Sequence, residues 1–254
     1  MSVPATFDAF VPSAASDLIS RATFQARYIP LSILRALDFE KQFKASYDLA
    51  QKVTSTAVFN HCLRCYYFSL LVLHSGFPSN TPGVAQISRD ELFKRVFLTS
   101  VLHDVALSHD ESVLTHPAHG MSFELQGGIM TYEHLHEKYP SLDVVQVGDI
   151  VQGIMLHTTH FTRGASSATG ILILLSTVFD LLGYSGLGPD VFEKMLHRDS
   201  VREIEDAFPR ENMKDEVVQD VTKMLKEKTN CLISHGDPAF IEKVKAVDAL
   251  ANSN

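Results

Sequence analysis

The spacing of apolar residues is the feature that most constrains the fold of this chain. Apolar side chains recur at intervals close to three and four residues, as at Leu34, Leu37, Phe43 and Tyr47, which is the periodicity of one helix face. No segment alternates apolar and polar residues over six or more positions, the pattern typical of a half-buried strand. The sequence therefore predicts an all-α fold, with no internal repeat and no visible domain boundary.

Capping and breaking residues set the bounds of the predicted helices. Ser55 or the next residue can cap one helix, and Ser88 with Glu91 forms a capping box in which each side chain satisfies an exposed backbone N–H. Residues 108–120 contain proline, glycine and three histidines, and are predicted to form a loop. The predicted helices are Ser32–Val53, Val58–His74, the one that Ser88 opens, Ser122–Tyr139, Leu142–His157, Ala168–Leu182, Met213–Lys228 and a last one after Asp237-Pro238.

The longest apolar stretch runs from Gly170 to Phe179 and is followed at once by Asp180. A membrane-spanning helix needs about 20 predominantly apolar residues, so this stretch is too short and too soon interrupted by an acid. We expect a buried central helix and no membrane partner.

Composition limits the classes of function. The chain of 254 residues has 22 Lys plus Arg against 30 Asp plus Glu and a net charge of −8, so nucleic acid is not an expected partner. Three cysteines are too few for a disulfide framework, which fits a reducing compartment. Cys62 and Cys65 are expected to be small apolar residues one helical turn apart. Residues 1–20 lack a basic segment followed by an apolar one, so we expect no signal peptide and a cytoplasmic protein.

Polar residues interrupt apolar helices at three places. His103 and Asp104 end an apolar segment, and His61 lies within another. Asp180 follows the most hydrophobic stretch of the chain. Burying any one of these groups without a partner would be costly. If the helices converge, two imidazoles and two carboxylates can bind one divalent cation, and zinc, iron and manganese accept such mixed nitrogen and oxygen donors.

The order His61, His103-Asp104, Asp180 resembles the HD-domain superfamily of metal-dependent hydrolases, and within it cyanamide hydratase and its relatives. The likeness runs with gaps from about residue 30 to residue 210. The segments that carry it are FNHCLRCYY from residue 59, LTSVLHDV from residue 98, MSFELQGGI from residue 121, LHTTH from residue 156 and AFPR from residue 207.

This resemblance implies a single-domain, HD-type helical bundle around a buried metal site. Residues 1–30 would form an N-terminal extension, residues 31–254 the helical body, and residues 55–185 approximately the metal-site core. The metal is zinc in the cyanamide hydratases. The implied ligands are His61, His103, Asp104 and Asp180.

The resemblance also implies the reaction, which adds water across the nitrile of cyanamide to give urea. A bound cation lowers the pKa of its water toward neutrality, and a histidine suits the delivery of a proton to the nitrile nitrogen. His157 and His160 align with a histidine-containing helix end of the family and are the catalytic candidates. Phe123 and Glu124 are candidates for substrate binding, and Arg64 is expected to be a structural ion-pair partner.

Two departures from the family's pattern bear on the substrate. Ala106-Leu107 stand where these hydratases have Gly-Thr, and Thr158, Thr159 and His160 stand where they have acidic residues. Apolar and neutral groups in place of a hydroxyl and acids predict a substrate that is bulkier or less polar than cyanamide.

Two alternatives to a hydratase stay open. The first is an HD-domain phosphohydrolase acting on nucleotides or other phosphate esters, for which Arg163 is the best phosphate-binding candidate. The second is a non-catalytic protein that binds a metal or ligand. A small molecule is the expected substrate, and a homodimer is left open.

Overall fold

The computed structural model describes residues 3–247 and Leu250. The α-helices of this part are α1 (Ala15–Arg21), α2 (Leu31–Leu34), α3 (Phe39–Gln42), α4 (Lys44–Val53), α5 (Thr56–His74), α6 (Arg89–Leu102), α7 (Glu111–Leu114), α8 (Phe123–Lys138), α9 (Val144–Leu156), α10 (Ala168–Leu182), α11 (Arg198–Ala207), α12 (Met213–Glu227) and α13 (Phe240–Lys245). Short 3-10 turns span Pro117–Gly120, Gly183–Ser185, Phe192–Lys194 and Leu232–His235. The strands are β1 (Thr6–Asp8), β2 (Phe10–Pro12), β3 (Gln86–Ser88) and β4 (Ala165–Ser167). The predicted all-α class is confirmed.

Helix α10 lies at the centre of the bundle, where it packs against α5, α6 and α9. The window Ala168–Ser185 is long and apolar enough to cross a membrane, but 78% of it is buried inside the protein. The prediction of a buried central helix is therefore confirmed. Gly183 ends α10 with φ +66°, a backbone conformation that glycine adopts without strain.

Sequence caps explain where several predicted helices begin. The Ser55 hydroxyl accepts a hydrogen bond from the backbone N–H of Val58, which opens α5. The Ser88 hydroxyl accepts from the Glu91 N–H at 3.3 Å. The Glu91 carboxylate, however, binds Arg95 at 2.7 Å rather than reaching back to residue 88. The predicted capping box is thus half formed.

Two predicted segments differ from the structure. Residues 32–53 form α2, α3 and α4 rather than one helix, because the Asp38 carboxylate accepts from a backbone N–H and starts α3 anew. Residues 108–120, predicted as a loop, hold α7 and a 3-10 turn. Asp110 caps the first and His116 caps the second.

The first thirty residues contribute to the same core as the helices. Strand β1 pairs antiparallel with β3, and β2 pairs antiparallel with β4. The side chains of Phe7 and Leu18 are fully buried. These strands hold the N-terminal segment against the starts of α6 and α10.

Candidate metal centre and active site

Four buried side chains meet where α5, α6 and α9 converge. His61 lies on the second turn of α5, His103 and Asp104 follow the last residue of α6, and His157 follows the last residue of α9. None of the four is more than 4% exposed. Two helix ends and one helix interior therefore direct polar side chains to a single point in the apolar core.

Their polar atoms lie within a few ångströms of one another. His61 Nε2 is 3.1 Å from His103 Nε2 and 3.5 Å from Asp104 Oδ2. His103 Nε2 is 3.3 Å from Asp104 Oδ2, and His157 Nε2 is 3.6 Å from the other carboxylate oxygen, Oδ1. The structure thus brings His61 to the His103-Asp104 pair and adds His157 to the same cluster.

The outer nitrogen of each imidazole is occupied by an acceptor. Nδ1 of His103 donates to the Ser100 carbonyl at 2.7 Å, and Nδ1 of His157 donates to the Ile154 carbonyl at 2.6 Å. Because a carbonyl only accepts, each Nδ1 carries a proton, and each ring in its neutral form directs the lone pair of Nε2 inward. Such backbone partners fix the orientation of imidazoles that bind metals.

The Nε2 lone pairs and the Asp104 carboxylate repel one another at these short separations unless a positive charge lies between them. In the protein without a metal, a proton can supply it: burial alone would lower the pKa of His103, but the Asp104 carboxylate raises it well above its ordinary value. Burial lowers the pKa of His157 to about 4, with a further contribution from His103. Asp104 Oδ1 is buried without a hydrogen-bond partner. These groups could hold a metal ion in place of that proton.

Asp180 is placed behind His61, on the side away from the cluster. Its Oδ2 accepts from Nδ1 of His61 at 2.6 Å, and both of its oxygens accept from the Arg64 guanidinium, at 2.7 and 2.8 Å. Burial would raise the pKa of Asp180, but Arg64 and then Arg210 hold it well below its ordinary value. The expected ion-pair role of Arg64 is confirmed. A direct ligand role for Asp180 would require it to release His61.

A thiol also lies beside the cluster. Cys65 Sγ is 3.7 Å from both ring nitrogens of His61, and with His61 and His103 it forms a second group that could hold a metal. From sequence, the i, i+3 spacing of Cys62 and Cys65 predicts only a packing role for this thiol. Burial raises the pKa of the Cys65 thiol well above its ordinary value, which favours the neutral thiol over a thiolate ligand.

A cavity of about 760 Å³ opens over the cluster. His61, Asp104 and His157 form its base. Its walls are mostly apolar and come from α10, α12, α13 and the segment between α12 and α13, with Leu107 beside the base. The mouth carries His160, which is exposed.

The predicted substrate-binding residues take different positions around this cavity. Phe123 lines it and packs edge-on against His157, with 5.5 Å between ring centroids. Glu124 is buried behind the wall, where it accepts from Thr158 Oγ1 at 2.5 Å and from the Ser122 hydroxyl. Burial raises the pKa of Glu124. Glu124 therefore orients Thr158, which does line the cavity.

Comparison with known proteins gives a distant similarity to one kind of enzyme. Over 163 residues the chain is 24% identical to cyanamide hydratase DDI2 of Saccharomyces cerevisiae, and this match covers 64% of the chain and 63% of the relative. Cyanamide hydratase DDI3 of the same yeast matches with the same identity and coverage. The chain thus matches less than two thirds of the length of these curated relatives. No family model matches it.

Proposed function

We propose that this protein is a metal-dependent hydratase of the HD-domain type that adds water across a nitrile, as a cyanamide hydratase does. The observation that carries the proposal is the buried convergence of imidazole lone pairs and an unpartnered carboxylate oxygen at the base of a cavity. The distant similarity to two cyanamide hydratases supports the reaction class.

We propose His61, His103, Asp104 and His157 as the metal-holding set. Donor atoms about 2.0–2.1 Å from one zinc ion lie roughly 3–3.5 Å apart, and a water would have to join these four side chains as a further ligand. The separations of 3.1 to 3.6 Å in this cluster support a cation of that size. Zinc is our first choice, and iron or manganese also accept this donor set. Asp180 would act through His61, whose ring it orients.

A divalent cation held there would supply the Lewis acidity that activates water for attack on a nitrile carbon. The chain's own residues would position the nitrile and supply its proton. Nδ1 of His157 donates to the Ile154 carbonyl, and its Nε2 faces the cluster as one of the proposed metal donors, so we assign the proton transfer to His160. An exposed imidazole at the mouth can exchange its proton with solvent between turnovers.

The cavity gives little support to the phosphohydrolase alternative. Within the described part of the chain, the only Lys or Arg that lines it is Lys243, whose ammonium binds the Asp237 carboxylate at 2.6 Å. Arg64 is committed to Asp180, and Arg163 lines a separate groove. A phosphate group would lack the free cations that normally recognise it. A cytoplasmic location and a small-molecule substrate stay part of this proposal.

Metal analysis combined with an activity assay tests the proposal. Purified protein should contain one first-row divalent ion per chain and should convert cyanamide or another nitrile to the corresponding urea or amide. His103→Ala should lose both the ion and the activity, because it removes a central donor. His136→Ala, an exposed histidine of α8, is the control and should keep both. A wild-type protein without a bound metal, or a His103→Ala variant with full metal content, would refute the site.

A further inference from the structure

The cavity above the cluster is far larger than cyanamide requires. Cyanamide has only three non-hydrogen atoms, whereas a volume of about 760 Å³ falls within the range of roughly 300–1,000 Å³ typical of sites for drug-sized ligands. Because His61 and Asp104 form the base of this same cavity, a molecule that fills it would place one end at the cluster.

The walls of this cavity are suited to hydrocarbon. Val178 and Leu181 of α10 face it from one side, and Met213, Val217 and Val221 of α12 face it from another. The three α12 side chains recur at intervals of four residues, so they form one continuous apolar stripe on the helix. Most of the remaining positions of α12 are charged or polar, so the helix turns an apolar face to the cavity as well as to the core.

The hydroxyl groups near the base have little hydrogen-bonding capacity left to donate. Thr177 donates to the Ile173 carbonyl at 2.9 Å, and Thr158 donates to Glu124 at 2.5 Å. These two hydroxyls therefore have no hydrogen left to donate to a polar substituent, and most of the remaining wall is apolar, where burying a polar group without a partner is unfavourable. A methylene chain or an aromatic ring would meet no such cost.

We propose that the substrate is a nitrile with an extended apolar substituent, of the size of a straight chain of about six to ten carbon atoms. This inference rests on the proposed hydratase function for its reactive group. In the reaction, both O–H bonds of water and the two π bonds between carbon and nitrogen break, while a C=O double bond and two N–H bonds form, giving the primary amide. The nitrile lies at the base of the cavity and the substituent along the α12 stripe.

A homologous series of alkanenitriles from propanenitrile to decanenitrile, with cyanamide alongside, tests this substrate class in the metal-loaded protein. Burial of each methylene is worth about 0.8 kcal/mol, which corresponds to about a fourfold increase in kcat/KM per added carbon until the cavity is full. Amide formation is measured by mass spectrometry. A kcat/KM that is flat or falls with chain length while cyanamide is hydrated would overturn the inference and leave the proposed function standing.

Variants of the stripe locate the substituent. Val217→Phe should shorten the preferred chain and lower the ratio of kcat/KM for octanenitrile to that for cyanamide at least tenfold. The matched control is Val145→Phe, at a residue of α9 that is 64% exposed, and it should leave the ratio unchanged. If Val217→Phe does not fold, Leu181→Ala enlarges the cavity instead and should move the optimum to longer chains. An unchanged chain-length profile in the folded variant would refute this placement.

A binding measurement separates failure of the substrate class from failure of the reaction. The probe is the series of straight-chain primary amides up to octanamide, followed by calorimetry on the metal-loaded protein. Tighter binding of longer amides, weakened by Val217→Phe, supports the apolar site even if no nitrile is hydrated, in which case only the proposed reaction falls. Absence of both hydration and chain-length-dependent binding would overturn both proposals.

Discussion

The buried pair of Arg64 and Asp180 offers a sharp test of how the candidate metal centre is built. In Asp180→Asn the side chain keeps its shape but loses its charge and one acceptor oxygen. Arg64 is fully buried and has two guanidinium bonds to Asp180, leaving the carbonyls of Phe208 and Pro209 as its other partners at 2.9 and 3.1 Å. Removing one partner of a buried ion pair costs about 3–5 kcal/mol of folding stability.

The same substitution should weaken metal binding without abolishing it. The asparagine side chain retains one oxygen to accept from either Arg64 or His61, so the His61 ring loses part of its restraint. Changing an outer partner of a ligating histidine typically lowers metal affinity about 10–100-fold, or about 1.4–2.8 kcal/mol. Loss of a direct ligand, as in His103→Ala, should lower it much further.

Two measurements on each variant decide between these roles. Guanidinium unfolding of the metal-free protein gives the stability change, and competition with a chelator gives the zinc affinity. Asp149→Asn is the control: Asp149 accepts from Arg95 at 3.1 Å away from the cluster and is about one-eighth exposed, so its loss should reduce stability by about 1–3 kcal/mol and leave zinc affinity unchanged. Equal loss of affinity in Asp180→Asn and His103→Ala would refute the outer position of Asp180.

Two further predictions concern stability near the site. The pKa of His157 is lowered from 6.5 to about 4 by burial and by His103; as pH falls from 6.5 toward 4 the unfolded chain gains a proton that the folded chain refuses, so stability should fall by up to about 3 kcal/mol. Urea unfolding of metal-free protein should show a smaller loss in His157→Gln than in wild type, the remainder coming from groups such as His61 whose pKa burial also lowers, and parallel profiles would contradict it. Gly127→Ala should raise the melting temperature, because its new Cβ would lie 3.4 Å from the His103 carbonyl oxygen, an ordinary contact, and a helix gains about 0.5–1 kcal/mol from the change. Gly128→Ala should instead lower the melting temperature, since its new Cβ would clash with Met155 Cγ and that side chain must move; destabilisation by Gly127→Ala would show that the backbone needs the glycine.

The sequence predicted the long helices well and the short elements poorly, for a physical reason. Helices α5, α8, α9, α10 and α12 carry enough turns for apolar spacing and caps to agree on their bounds. Residues 32–53 keep the same spacing across the break at Asp38, because the separate helices face the same core. The three-residue strands are too short for an alternation of apolar and polar residues to be detected, and their partner strands lie some 80 to 155 residues away.

The candidate site could be predicted only in part. His61 and the His103-Asp104 pair were identifiable because each is a costly polar group on an apolar helix. The ligand role of Asp180 stays a prediction, because a carboxylate that orients a ligand and one that is itself a ligand satisfy the same burial argument. His157 follows the last residue of α9, and at a helix end the sequence does not show whether a side chain faces the core or the solvent.

The buried charges around the site fall into two groups. Arg64 and Asp180 neutralise each other, whereas the Asp104 carboxylate faces histidines and needs a cation. Asp180 has a permanent countercharge in Arg64, so this part of the frame is stable whether or not an ion is bound. Asp104 has no Lys or Arg partner among the described residues, and its buried charge is balanced only by what the histidines hold. A single proton on His103 neutralises Asp104, whereas a divalent cation leaves one positive charge in excess. Such an excess at the base of an apolar cavity would favour the ionisation of water that the proposed reaction requires, which links the ion, the cavity and the reaction.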